Sequence, residues 1–134
     1  MRKNGLEHLA ENERAALNDF VVRLRQAYAS QVVRVVLFGS KARGDSDAES
    51  DLDVLVVINS DDWRLHDQVV TLSSPVSVKH DALISPKVIG PSLYRRMRRL
   101  RSLFLENILR EGRILWTKRP ARRSAKTSPA AATN

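Results

Sequence analysis

Three observations in this chain predict an α/β fold, a small sheet of three or four strands with helices packed against it. Two runs, "VVRVVLF" (Val32 to Phe38) and "DLDVLVVI" (51–58), are β-branched and almost wholly apolar, as strands buried on both faces are. Stretches with apolar residues at helical spacing alternate with them. The length, 134 residues, suits one domain with a real core.

The elements follow in order. Leu17, Phe20, Val21, Leu24 and Tyr28 fall on one helical face, which predicts an amphipathic helix over 12–29. The first buried strand is "VVRVVLF". "SKAR" after Gly39 forms a single helical turn, and residues 45–50 form a polar loop before the second strand. "NSDDWRLHDQVVTL" opens on capping residues and predicts a short helix whose inner side holds Trp63, Val69, Val70 and Leu72. "PVSVKHDALIS" (75–85) alternates and is read as a third strand. Gly90-Pro91 opens a further helix and Gly112 closes it, with Leu93, Met97, Leu100, Phe104 and Ile108 as its inward stripe. "RILW" (113–116) is a short closing strand. The core therefore spans 1–116, and 117–134 is expected to be a basic, disordered tail.

Charge is unevenly spread. Of the formal +8, Arg95, Arg96, Arg98, Arg99 and Arg101 crowd one helix, and Lys118, Arg119, Arg122, Arg123 and Lys126 lie in the tail. Taking those ten away from +8 leaves −2, so the high pI does not describe the core. The helix cluster reads either as a solvated basic face or as a docking surface for an acidic protein or nucleic acid. It lacks the interleaved aromatics of single-strand binders. Trp63 and Trp116 are expected to pack. No apolar run approaches the roughly 20 residues of a membrane span, and the polar start has no signal-peptide centre. With no cysteine, thiolate metal sites and disulfides are excluded and a cytoplasmic location is expected.

The segment with chemical content is "LFGSKARGDSDAESDLDVLVVI". Gly39 lets the main chain approach a ligand, and exposed N–H groups at such a turn with the Ser40 hydroxyl favour phosphate. An ordinary strand-to-loop turn is the alternative. Asp51 and Asp53 are two apart in extended chain, so they share a face about 6.6 Å apart. Two unpaired carboxylates are costly to desolvate there, and a divalent cation such as Mg²⁺ would relieve that cost. Alternatively they sit at the solvent end and only cap the loop. His8, His66 and His80 stand apart from each other and read as ordinary histidines.

Taken together, Gly39-Ser40, ten residues, then Asp51-Leu52-Asp53 resembles the signature of the nucleotidyltransferase superfamily related to DNA polymerase β. The longer "GSKARGDSDAESDLDVLV" is similar to the minimal nucleotidyltransferase domain, and the likeness runs through "LENILREGRILW". It implies a mixed central sheet flanked by helices. It also implies that Gly39 and Ser40 hold the triphosphate, that Arg43 contacts phosphate or pairs with a loop acid, and that Asp51 and Asp53 bind two Mg²⁺ ions (Mn²⁺ as substitute). The family's third carboxylate comes from the strand beside this pair. Asp81 is the acid in the stretch read as the third strand, so the resemblance assigns it that metal-binding and catalytic role. Stand-alone minimal domains of this kind resemble MntA-type antitoxins, which transfer AMP from ATP to a tyrosine of a HEPN-domain ribonuclease toxin. A non-catalytic nucleotide-binding antitoxin is one alternative. An antibiotic-modifying enzyme is another, though such enzymes usually carry a further helical domain for which this length leaves no room. A nucleic-acid binder that keeps only the fold is a third.

Overall fold

The computed structural model describes residues 6–44 and 50–118. Helix α1 spans Glu11–Tyr28, and the Glu13 carboxylate accepts the Ala10 N–H at 2.9 Å, satisfying one of the donors a helix start leaves open. Its buried face is Ala16, Leu17, Phe20, Val21 and Leu24, at the spacing expected of the sequence. Strand β1 (Val32–Phe38) leads into the short helix α2 (Ser40–Arg43), and strand β2 covers Leu52–Ile58. Asp51 thus precedes the strand rather than opening it.

Between 63 and 89 the structure departs from expectation. Helix α3 is not short: it runs Trp63–His80, straight through Pro75. Val69, Ser73 and Val76 are buried at helical spacing, whereas Val78 is 83% exposed, so the apparent alternation around Pro75 has no strand behind it. Proline removes one internal N–H bond, and burial of this face against α1 outweighs that loss. The third strand, β3, is instead "ISPKVI" (Ile84–Ile89). Its Pro86 is tolerated because β3 lies at the sheet edge.

The predicted helix from Gly90 to Gly112 is two: α4 (Pro91–Arg99) and α5 (Leu103–Glu111). Arg101 turns the chain at φ +55°, and Ser102 caps α5 by accepting the Leu105 N–H. The break rotates the apolar stripe, so Leu93, Leu100 and Phe104 are exposed and the buried contacts fall on Leu105 and Ile108, with Tyr94 and Met97 partly covered. Trp63, expected to pack, is 67% exposed with Arg64 stacked on its ring. Trp116 does pack, on the α1 side, under Arg25.

Strand β4 (Arg113–Thr117) completes a mixed sheet in the order β3-β2-β1-β4, antiparallel except for the β2–β3 pair. Thr117 pairs with Arg34, one residue beyond the expected end of the strand at 116, and the Lys118 N–H donates to the Val33 carbonyl at 2.8 Å. The expectation for the rest of the tail lies outside the described residues, as does that for the loop at 45–49. One sheet face (Val35, Leu37, Val54, Val56) is covered by α1 and α3, the other (Val36, Leu55, Val57) by α4 and α5. Side chains such as Phe20 and Leu55 are sealed from water, each contributing roughly 1.5–3 kcal/mol. No helix among the described residues is long and apolar enough to cross a membrane.

Candidate active site

The antiparallel register sets Phe38 opposite Asp53, so the turn that follows β1 meets the start of β2. Gly39 has φ +79° and ψ −160°, a conformation open in practice to glycine alone. A β-carbon there would lie 2.5 Å from Asp53 Oδ2, so the main chain touches the carboxylate because no side chain intervenes. Ser40 begins α2, the Ala42 and Arg43 N–H groups close on the Gly39 carbonyl, and Gly44 at φ +83° ends the turn by donating to the Ser40 carbonyl.

What fixes this turn was not foreseen from the sequence. Lys41 points inward, only 4% exposed, and its Nζ donates to Glu13 Oε2 at 2.6 Å. The Lys41 carbonyl meets His8 Nε2. A buried pair of this kind costs about 3–5 kcal/mol to break by removing one partner, so α1 holds the turn firmly. The other histidines are likewise engaged structurally: His66 with the Ser60 carbonyl at 2.8 Å, and His80 with Asp19 at 2.9 Å. Arg43 is exposed and lies 3.9 Å from Glu111 of α5, not from a described loop acid; a pair so open contributes little by itself.

Asp53 is partly buried and Asp51 is exposed beside it. Burial pushes the Asp53 carboxyl above the usual carboxylate range; the Asp51 charge adds to this and the Lys87 ammonium opposes it. Among the described residues no hydrogen bond or ion pair reaches the Asp53 carboxylate.

Asp81 does not stand on the strand beside this pair. It caps α3 in the left-handed region (φ 52°), exposed, with its N–H on the Ser77 carbonyl and its own carbonyl bonded by Asn12 of α1. The residue paired with Asp53 on the neighbouring strand is Ser85, and Lys87 follows two places on, paired with Leu55. Paired residues share a sheet face, so a hydroxyl and an ammonium stand where a carboxylate was expected. No group of three acids or histidines gathers among the described residues. Two carboxylates suit a hard divalent cation, which completes its shell with water and phosphate oxygens.

Comparison with known proteins shows the family. A family model described as "Nucleotidyltransferase domain" matches residues 17–115. A Methanocaldococcus jannaschii protein bearing the name "Putative protein adenylyltransferase MJ0604" is 34% identical over 105 residues, covering 78% of this chain and 99% of that one. A second from the same organism, "Putative protein adenylyltransferase MJ0141", is 46% identical over 54 residues, 40% of this chain and 54% of its own length. Among solved structures, a mutant of the toxin-antitoxin MntA-HpeT superposes with a TM-score of 0.47 at 17% identity, over 76% of this chain and 73% of that one.

Proposed function

The chain belongs to the nucleotidyltransferase family, and from that premise we propose that it transfers AMP from ATP to a hydroxyl of a partner protein. The observation that carries this reading is the carboxylate pair: Asp53, desolvated and unpartnered beside Asp51, packed against a turn that only glycine can make. Asp51 and Asp53 would hold Mg²⁺ or Mn²⁺. When bound, that ion neutralises charge on the triphosphate. Gly39 supplies close main-chain approach, and the Ser40 hydroxyl and the N–H groups of its turn take phosphate oxygens. In the transfer, the acceptor oxygen bonds to the α-phosphorus as the bond from that phosphorus to pyrophosphate breaks. The hydroxyl proton passes to a carboxylate oxygen of the pair.

A protein acceptor is favoured by the name of the 34%-identical relative and by the openness of the site, where Asp51 is exposed before β2 and Lys87 is exposed on the edge strand β3. An acceptor that brings its own walls excludes water on docking. The partner we propose is a HEPN-domain ribonuclease toxin, with a tyrosine as acceptor and this chain as its antitoxin. Helix α4 supplies a docking face: it buries no residue, and Arg96, Arg98 and Arg99 are exposed on it. Incubation with ATP, Mg²⁺ and that toxin should add about 329 Da per AMP transferred, pyrophosphate being the leaving group. Asp53→Asn should abolish the gain. Reversal of Arg96, Arg98 and Arg99 to glutamate should weaken transfer more than ATP binding. Neutralisation of the toxin with no mass gain would show a contact-only antitoxin instead.

A further inference from the structure

At the other end of β1 and β2 from Asp53, between the sheet and the start of α4, lies a cavity of about 350 Å³. A register shift between Val32 and Arg34 leaves Val33 without a partner on β2. Such a bulge re-aims the residues beside it, and here Val33 and Arg34 both line the cavity on the α4 side. The Arg34 Nε is shielded from solvent and has no hydrogen-bond partner, and no carboxylate pairs with its guanidinium among the described residues. Arg95 lines the same cavity from α4; no carboxylate among the described residues lies within ion-pair distance of it, though its charge acts on Asp61 from further away. The nearby acid, Asp61, is already taken by the Ser92 N–H and hydroxyl at 3.1 and 2.6 Å. Tyr94 accepts weakly from Arg98 at 3.4 Å, which leaves its own O–H to donate. Val57 and Pro91 give the cavity an apolar wall.

Two arginines and a phenol line a space where no carboxylate among the described residues pairs with either guanidinium. An arginine Nε buried without an acceptor is a donor kept for something else, because buried donors are otherwise paired. The volume is at the small end of the range for ligand pockets. We propose that this cavity is a second ligand site, separate from the carboxylate pair, that takes a small molecule bearing one oxyanion, carboxylate or phosphate monoester, on an apolar or aromatic body. Arg34 and Arg95 clamp the oxyanion, Tyr94 donates to it, and Val57 and Pro91 cover the body. The proposal does not depend on which hydroxyl receives AMP.

The test is titration of the full chain, labelled with ¹⁵N, with sodium benzoate and separately with phenyl phosphate at constant ionic strength, following the arginine Nε–H signals. A saturable shift of the Arg34 signal with either probe is expected, and which probe saturates at lower concentration tells carboxylate from phosphate. Arg34→Gln, followed by the Arg95 signal, should weaken that probe about tenfold or more, the loss of a charge-assisted bond, and so should Arg95→Gln, followed by the Arg34 signal, an exposed position that keeps the test open if the strand variant does not fold. Arg99→Gln, on α4 but outside the cavity, should change nothing. Absence of saturation with both probes would overturn the site. So would equal weakening by Arg99→Gln, which would mean diffuse attraction to the basic helix.

Discussion

Asp53→Asn should make the metal-free protein more stable while removing its activity. Asp53 and Asp51 are two residues apart in nearly extended chain, about 6.6 Å along it. Like charges at that distance repel by about 0.6 kcal/mol at the dielectric of water and about 2.5 kcal/mol at an effective value near 20. Asp53 is partly buried and Asp51 exposed, with Lys87 offsetting some of the repulsion, so a gain of about 1 kcal/mol is expected. For a domain of this size that raises Tm by about 4 °C. The sign with pH follows from the direction of the shift. A carboxyl whose folded pKa is raised destabilises the fold wherever it is ionised. That cost is full above the raised pKa and vanishes once pH falls below the ordinary value of 3.8. Melting curves by circular dichroism in EDTA should therefore show the variant ahead at pH 7, with the gap closing towards pH 3.5. Mg²⁺ added with ATP should raise the parent's Tm and not the variant's. A variant that melts no higher than its parent at pH 7, or keeps the same lead at pH 3.5, would refute the claim that this charge is held at a cost.

Gly39→Ala should cost about 2 kcal/mol from the positive φ alone, besides the collision with Asp53, and thermal melts alongside ATP binding would show both losses together. Asp19 accepts from Arg23 and then His80, which hold its carboxyl below the ordinary range despite burial. Its contribution is therefore present above pH 3.8 and lost as pH falls through the lowered pKa, so Asp19→Asn should be less stable at pH 7 and converge with its parent in acid. Truncation after Lys118 should leave Tm unchanged, whereas truncation after Trp116 removes the Thr117 pairing and the Lys118 bond to Val33, about 1 kcal/mol each, and should lower it by several degrees.

Where one local pattern decided an element, the chain was legible. The stripe from Leu17 to Leu24 is the buried face of α1, and the two apolar runs are the central strands β1 and β2. The Gly39-Ser40 turn and the Asp51/Asp53 pair meet as their spacing implied, because an antiparallel β1–β2 register has to bring them together. The errors came where two local rules competed. Pro75 argued for a helix end, yet Val69, Ser73 and Val76 kept helical period across it, and tertiary burial won. Once that helix was cut short, the strand was placed nine residues early, and Asp81 was carried onto a sheet it never joins. Ser102 before "LFLENIL" was a readable cap, but the long apolar stripe ran through the break and hid it. The Lys41–Glu13 pair, 28 residues apart in sequence, left no local trace at all.

The corrected β3 alters the charge of the site. With carboxylates at three positions, the site would carry three negative charges and need two divalent ions before it could hold a triphosphate. Here two carboxylates face Ser85 and Lys87 across a parallel register. The protein thus supplies a positive charge where the expected arrangement had a negative one. Lys87 already acts on Asp53, holding its carboxyl lower than burial alone would. A lysine is a flexible point charge suited to a polyphosphate, and its exposed position leaves it free to move towards one. On the proposed reading, two carboxylates for a cation and an ammonium for phosphate would balance with Lys87 in the place of a third acid and its ion.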